Sequence, residues 1–206
     1  TLHRRAHLRF HRAIVCSDAA DAASQLNALL RGEPAALSCQ AEVSSTPPPL
    51  VFLYSGQGSQ WAGMARRLYA RFPVFRDALL RCEAEIGVFL GERITAKLLD
   101  ESAADLVEIA LIQPTLFAIQ VALTELFCSI GLRPDIVVGH SMGEMAAAYA
   151  AGALSLSDAS RIICLRSQLL RRKSGQGAMA VVELPLRETE QLLHAEGITS
   201  QISITI

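Results

Sequence analysis

The chain has 206 residues, 51% of them hydrophobic and 5% aromatic, with 19 basic against 20 acidic side chains and a net charge of −1. That length holds one or two domains with a real core, and apolar content drawn mainly from Ala, Leu, Val and Ile suits an α/β interior. The charge balance gives no electrostatic reason to expect nucleic acid or an anionic membrane as partner.

Cys16, Cys39, Cys82, Cys128 and Cys164 are scattered without a C-x-x-C pair. Such a set points to reduced thiols in a cytoplasmic protein, not to a disulfide framework or a zinc site. No apolar run reads as long enough to span a bilayer. The opening TLHRRAHLRFHR is basic and lacks the apolar segment of a secretory signal. Its His3, His7 and His11 would share a helix face, but no carboxylate or cysteine nearby completes a metal set, so a solvated, extended segment is expected.

Arg12–Cys16 reads as a strand. Ser17 or Asp18 can cap a helix that runs to Leu30 and is closed by Gly32. Glu42–Pro49 (EVSSTPPP) is a linker, because three prolines cannot continue a helix and favour an extended spacer. A domain boundary falls at residue 49. Leu50–Tyr54 is the first strand of the main domain. The loop SGQGSQ follows, with Gly56 and Gly58 flanking Gln57 so that backbone can approach a ligand; an ordinary βα loop would read the same way. It is not a phosphate loop, since no Gly-Lys-Ser/Thr follows. Trp61–Phe72 reads as an amphipathic helix, and Pro73 opens another that reaches about Ile86. Leu98–Asp105 is loop-like. Ile109–Ile130 reads as a buried helix with Pro114 tolerated early, and Gln113, if buried, must find hydrogen-bond partners.

The most informative stretch is PDIVVGHSMGEMAAAYAAG, residues 134–152. An apolar strand, Asp135–Val138, meets G-x-S-x-G at Gly139–Gly143, and a strong helix former runs from Glu144 to Ala151 before Gly152. A serine on a strand-to-helix turn projects its hydroxyl at the sheet edge, next to the N–H groups that open the helix. Ser141 is therefore the candidate acyl-accepting nucleophile. Ser157 or Asp158 can cap the next helix, which runs to Arg172 with Ile162, Ile163, Leu165, Leu169 and Leu170 as its apolar stripe. Arg166 lies beside that stripe and needs an anion, either a carboxylate of the domain or one of the substrate. Arg161, Arg171 and Arg172 are expected to face water. Ala178–Leu184 reads as a strand, Leu186–Glu196 as a helix and Ile198–Ile206 as another strand, the opening of a new unit.

Four ordered segments, FLYSGQGSQWAGM (52–64), IQPTLFAIQVAL (112–123), GHSMGEMAAAYAAGALSL (139–156) and RIICLRSQLL with GAMAVV (161–182), closely resemble the malonyl-CoA:acyl-carrier-protein acyltransferase family. Within it they resemble the acyltransferase domain of a modular type I polyketide synthase. The resemblance covers residues 50–206. It implies an α/β-hydrolase-like core with a parallel sheet over residues 50–177 and the start of a small ferredoxin-like subdomain over 178–206. Residues 1–49 resemble the α/β linker from a ketosynthase.

The resemblance also implies roles. Ser141 would carry the acyl ester, and the backbone amides of Gln57 and Met142 would form the oxyanion hole. Arg166 would hold the free carboxylate of the extender unit in a bidentate pair. Gln113 and His140 would lie at the substrate, with His140 leaving the elbow in a different direction from Ser141 and not serving as base. The family's general base is a histidine further downstream than this sequence reaches, and His194 does not match it. This stretch alone would then be inactive. No cofactor is implied; the substrates are an acyl-CoA and the phosphopantetheine thiol of an acyl carrier protein, inside a homodimeric synthase. Met142 resembles malonyl-selective members, where methylmalonyl-selective ones often have Gln. The rival readings are a serine esterase or thioesterase, which shares the elbow, and a non-catalytic scaffold domain.

Overall fold

The computed structural model describes residues 8–35, 37–42, 48–58, 60–91, 93–99, 109–176 and 182–198. Near the N-terminus, β1 (Phe10–Ile14) and β2 (Ser38–Glu42) form an antiparallel pair whose register runs from Phe10↔Glu42 to Ile14↔Ser38. Between them lies α1 (Ala19–Leu30), capped by the Asp18 carboxylate, which accepts the Asp21 N–H at 2.8 Å. None of α1 is buried. The first strand begins two residues before the expected Arg12 and ends before Cys16. The sequence reading missed β2 because SCQAE is exposed along its whole length and shows no apolar alternation. His11 sits in β1, not on a helix, and His3 and His7 lie outside the described residues.

The main body runs β3 (Val51–Tyr54), α2 (Arg66–Arg71), α3 (Pro73–Leu90), α4 (Ile94–Leu98), α5 (Ile109–Ser129), β4 (Ile136–Gly139), α6 (Gly143–Ala150), α7 (Leu156–Lys173) and α8 (Leu186–Ala195). The chain is thus mixed α/β, as expected, with one parallel and one antiparallel pair among the described residues. β3 and β4 are parallel, in register from Val51↔Ile136 to Tyr54↔Gly139. A parallel pair needs a long crossover, and the four helices α2 to α5 supply it. Asp135 fixes the start of the pair: its carboxylate accepts the Leu50 N–H at 2.7 Å, and its own N–H donates to the Leu50 carbonyl at 2.8 Å.

α5 is the central element and packs against α3, α6 and α7. Phe75, Leu79, Ile86, Phe117, Val121 and Ile163 are closed off from solvent around it. Residues 110–129 are long and apolar enough to cross a membrane, which corrects the expectation that no run reaches that length. The apolarity has another source here, since 72% of the helix is buried inside the protein. The sheet has two unlike faces. Phe52, Tyr54 and Val137 face the core, while Val51, Leu53, Ile136 and Val138 are exposed on the other side.

Several elements differ from the sequence reading. The helix expected from Trp61 begins only at Arg66, because Gly63 takes a left-handed φ of 76°. Part of the loop expected at Leu98–Asp105 is the end of α4, while residues 100–105 lie outside the described residues. α7 is capped by Ser155, not Ser157 or Asp158. The Ser155 hydroxyl accepts the Asp158 N–H at 3.0 Å and donates to the Asp158 carboxylate at 2.6 Å. Of the expected stripe on α7 Ile163 is in the core, but Ile162, Leu165, Leu169 and Leu170 are exposed, and the rest of the buried face is Ala159, Ser160, Cys164 and Ser167. Small side chains there let α7 sit close on α3 and α5. Of the expected strand at 178–184, residues 178–181 lie outside the described residues and 182–184 are irregular; the strand at 198–206 lies outside them except for Ile198.

Glu83 fastens α4 to α3. It is 8% exposed and accepts the Thr95 N–H at 2.7 Å, the Thr95 hydroxyl at 2.5 Å and Arg93 Nε at 3.0 Å. Burial pushes its carboxyl pKa up, but the Thr95 bonds and Arg93 outweigh burial and hold it below the ordinary value. A carboxyl made more acidic by folding stabilises fully above its unfolded pKa, near 4.5, and loses that contribution as pH falls through the folded value. Glu83→Gln is expected to be less stable than wild type at pH 7 by about 1–3 kcal/mol. In urea titrations that gap narrows as pH drops below about 4.5.

Candidate active site

The elbow forms where β4 ends at Gly139 and α6 begins at Gly143. Ser141, between them, has φ of 54°, the only positive φ of a non-glycine among the described residues. Such a conformation stores of order 1–3 kcal/mol and persists only when its surroundings impose it. Two close approaches impose it. A Cβ on Gly139 would lie 2.4 Å from Glu144 Cα, and one on Gly143 would lie 2.2 Å from the Tyr54 carbonyl oxygen. Both glycines of the motif are therefore steric requirements, and Gly143 brings the helix start against the end of β3.

Ser141 is exposed at this turn. The Gly143 N–H donates to the His140 carbonyl at 2.9 Å and the Glu144 N–H to the Ser141 carbonyl at 3.2 Å. The Met142 N–H has no partner among the described residues, and the residue as a whole is 1% exposed, within the core cluster. His140 donates its N–H to the Tyr54 carbonyl at 2.9 Å, and its ring packs over Gly56, where a Cβ would lie 3.0 Å from Nδ1. It makes no hydrogen bond to Ser141 among the described contacts.

Gln57 lies on the loop after β3. That loop is held by α5: Gln120 Nε2 donates to the Ser55 carbonyl at 2.8 Å, and Gln113 Nε2 to Gln57 Oε1 at 2.8 Å. Below it, the Tyr54 hydroxyl lies 2.8 Å from Thr124 Oγ1. The Thr124 proton goes to the Gln120 carbonyl at 2.8 Å, so Tyr54 is the donor of that pair.

Arg166 completes the group. Its Nη1 donates to Gln113 Oε1 at 2.5 Å and its Nη2 to Ser141 Oγ at 3.1 Å. It is half-buried and, among the described residues, has no carboxylate partner. Of the two anions left open by the sequence, no domain carboxylate is found there among the described residues. The structure therefore joins Ser141, Arg166, Gln113 and Gln57 in one hydrogen-bonded set, with the Met142 amide at its turn and His140 flanking it. His194 lies apart on α8, beside Arg187, Glu190 and Gln191. No cluster of His, Cys, Asp or Glu among the described residues has metal-binding geometry. Cys82 and Cys164 are buried thiols pushed up to about 12, which removes them as rival nucleophiles.

The sequence reading missed Gln120, Thr124 and Ser167. The first two were visible as polar positions seven and eleven residues after Gln113 in an otherwise apolar helix, spacings that fall on one helix face.

Residues 51–204 match the family described as "Acyl transferase domain". The chain belongs to that family. The acyl transferase domain is 40% identical over 200 residues to a mycocerosic acid synthase-like polyketide synthase of Mycobacterium tuberculosis, covering 97% of this chain and 9% of that protein. Among solved structures, it is similar to the acyltransferase domain from the second module of the salinomycin polyketide synthase, at 41% identity and TM-score 0.70 over 82% of this chain and 40% of that one. It is also similar to the domain from module 8 of the same synthase, at 33% identity and TM-score 0.81, covering 94% of this chain and 46% of that one. The chain thus spans about a tenth of the length of the curated relatives it matches and less than half of each solved domain.

Gly143→Ala tests the elbow. A Cβ 2.2 Å from a backbone oxygen cannot be relieved by a rotamer change. A loss of at least about 2 kcal/mol is expected in urea unfolding, whereas Gly87→Ala, where a Cβ meets nothing within 4 Å, should stabilise α3 by about 0.5–1 kcal/mol.

Proposed function

We propose that this domain moves an extender acyl unit, malonyl in preference to methylmalonyl, from CoA to the phosphopantetheine thiol of an acyl carrier protein during polyketide biosynthesis. The observation that carries this reading is the contact of Arg166 Nη2 with Ser141 Oγ at 3.1 Å, made by a half-buried cation with no carboxylate of its own among the described residues. A guanidinium beside a nucleophile favours an acyl group that ends in a carboxylate. The polyketide synthase relatives support the same assignment. In this reading the parallel pair and elbow belong to an α/β-hydrolase-like core, residues 178–206 open a ferredoxin-like subdomain, and residues 1–49 lead from a ketosynthase in a homodimeric, cytoplasmic synthase.

The chemistry runs in two half-reactions. The Ser141 oxygen attacks the thioester carbonyl while its proton passes to a general base, a histidine further along the complete domain. The N–H groups of Gln57 and Met142 hold the oxyanion. The C–S bond then breaks, the thiolate takes the proton, and Ser141 carries the acyl ester. The carrier thiol gives its proton to the same base and attacks the ester; the bond from the acyl carbon to the Ser141 oxygen breaks, and that oxygen takes the proton back from the base. Arg166 pairs with the distal carboxylate in both halves, and Met142 in place of Gln favours malonyl.

The test is intact-mass measurement of the complete domain after incubation with malonyl-CoA. A malonyl adduct is expected, absent in Ser141→Ala. In Arg166→Ala its formation should slow about 30- to 1000-fold, the equivalent of about 2–4 kcal/mol for a lost charge-paired contact. Free malonate without an adduct would instead identify a hydrolase, and neither product with any acyl-CoA would identify a scaffold.

A further inference from the structure

Two consecutive residues of α7 meet the same glutamine. Arg166 Nη1 donates to Gln113 Oε1 at 2.5 Å, and Ser167 Oγ lies 3.3 Å from that oxygen. Ser167 is fully buried, and its hydroxyl also reaches the Ile163 carbonyl one turn back, at 2.7 Å. We propose that Ser167, acting through Gln113, is a positioning residue that sets the guanidinium of Arg166 and so raises the preference for acyl groups that end in a carboxylate. This rests on the acyl-transfer reading above and names a residue to which that reading gives no part.

Donor and acceptor identities fix the geometry. Arg has only donors, so the oxygen end of the Gln113 amide must face it. The nitrogen end then faces Gln57 Oε1, an acceptor, at 2.8 Å. A flipped amide would set donor against donor at Arg166 and acceptor against acceptor at Gln57. Gln113 is 3% exposed, and both ends of its amide are engaged by protein. It therefore acts on the site through Arg166 and Gln57 and not by touching substrate. The Gln113 oxygen has two lone pairs. Arg166 takes one; the Ser167 hydroxyl, whose single proton lies chiefly with the Ile163 carbonyl at 2.7 Å, reaches the other as the longer, weaker limb of a three-centre bond at 3.3 Å. Without Ser167 the oxygen keeps a single partner that is itself a long, half-exposed side chain. With it, the oxygen has a second, longer contact to a hydroxyl that is itself held by the backbone of a packed helix face. Ser160 supplies the internal comparison. It lies on the same buried face of α7, is equally closed off, and its hydroxyl has no partner among the described residues. Burial of a serine on α7 does not by itself require a link to the site.

The experiment follows acyl-enzyme formation by intact mass in the complete domain, with malonyl-CoA and with acetyl-CoA as the probe lacking a carboxylate. Wild type, Ser167→Ala, Ser167→Cys and Ser160→Ala are compared. Ala is the better helix former, so Ser167→Ala keeps α7. In Ser167→Ala the malonyl rate is expected to fall about 3- to 10-fold, the worth of one neutral hydrogen bond, with the acetyl rate within about twofold of wild type. Ser167→Cys, a weak donor of similar size, falls between, and Ser160→Ala leaves the malonyl-to-acetyl ratio at the wild-type value. An unchanged ratio in Ser167→Ala, or an equal fall in Ser160→Ala, overturns the proposal. Gln113→Glu gives a second arm that does not depend on Ser167. Its carboxylate would pair with Arg166 and depress malonyl loading more than acetyl loading; equal loss with both substrates overturns the coupling. Failure of the acyl-transfer reading is a separate result, visible as the absence of any malonyl adduct in wild type.

Discussion

The contact on which the site depends is between backbone and backbone. The Tyr54 carbonyl at the end of β3 lies where a Cβ of Gly143 would stand, 2.2 Å away. With glycine there, the first turn of α6 closes against the sheet, and the His140 N–H reaches the same carbonyl at 2.9 Å. The chain between them is then too short to relax, and Ser141 is forced to a φ of 54°. Because β3 leads into the Gln57 loop, the same contact fixes the distance between that loop and Ser141. The strain at Ser141 is held by tight packing that no flexible side chain can relieve.

α5 is the frame against which this arrangement is measured. It is apolar enough to resemble a membrane span, yet 72% of it is buried in protein. A helix this apolar carries few polar groups, and most of those it buries are matched, although Thr115 Oγ1 and Gln120 Oε1 have no partner among the described residues. Gln113, Gln120 and Thr124 lie along one stripe and reach Gln57, the Ser55 carbonyl and the Tyr54 hydroxyl in turn. Each bond is worth about 1 kcal/mol, but together they set the height of β3 and its loop along the helix. Only one face of the β3–β4 pair shares in this. The other presents Val51, Leu53, Ile136 and Val138 to solvent, Leu53 at 73% exposure. Parallel sheets are ordinarily covered on both faces; among the described residues this pair is covered on the helical side.

What could be read from the sequence divides along the range of the physics. Strand, turn and helix at 134–152 were legible because the constraint is local: glycines at 139 and 143 and the helix formers after them act within a few residues. The long buried helix at 109–130 was legible from composition. The stripe on α7 was not. Ile162, Leu165 and Leu169 have helical spacing, but helical spacing does not say which arc the neighbours choose, and α3 and α5 take the arc of Ala159, Ile163 and Cys164. Gln113 could be flagged as a buried amide in need of partners, but Gln57, Arg166 and Ser167 meet it only through the tertiary fold. β2 and α4 escaped because one is wholly exposed and the other is five residues long.

Arg166 is the clearest case of a residue whose partners only the fold supplies. From the residues alone it was a cation near an apolar stripe, open to a domain carboxylate or a substrate one, and the family resemblance implied the substrate. In the fold it is held by two neutral groups, the Gln113 oxygen and the Ser141 hydroxyl. Neutral acceptors orient a guanidinium without neutralising it. A carboxylate in place of the Gln113 amide would hold the same side chain more strongly and would also spend its charge. A cation that has lost part of its hydration and is not neutralised favours an arriving anion more than one already in a salt bridge. The contact with Ser141 Oγ then has a second effect. The guanidinium cannot accept a proton, so it cannot serve as base, but it lowers the cost of negative charge on that oxygen. In the proposed acyl-transfer reading, one cation would in this way bias the site toward a substrate's far end and ease attack at its near end, provided that a neutral amide and not a carboxylate holds it in place.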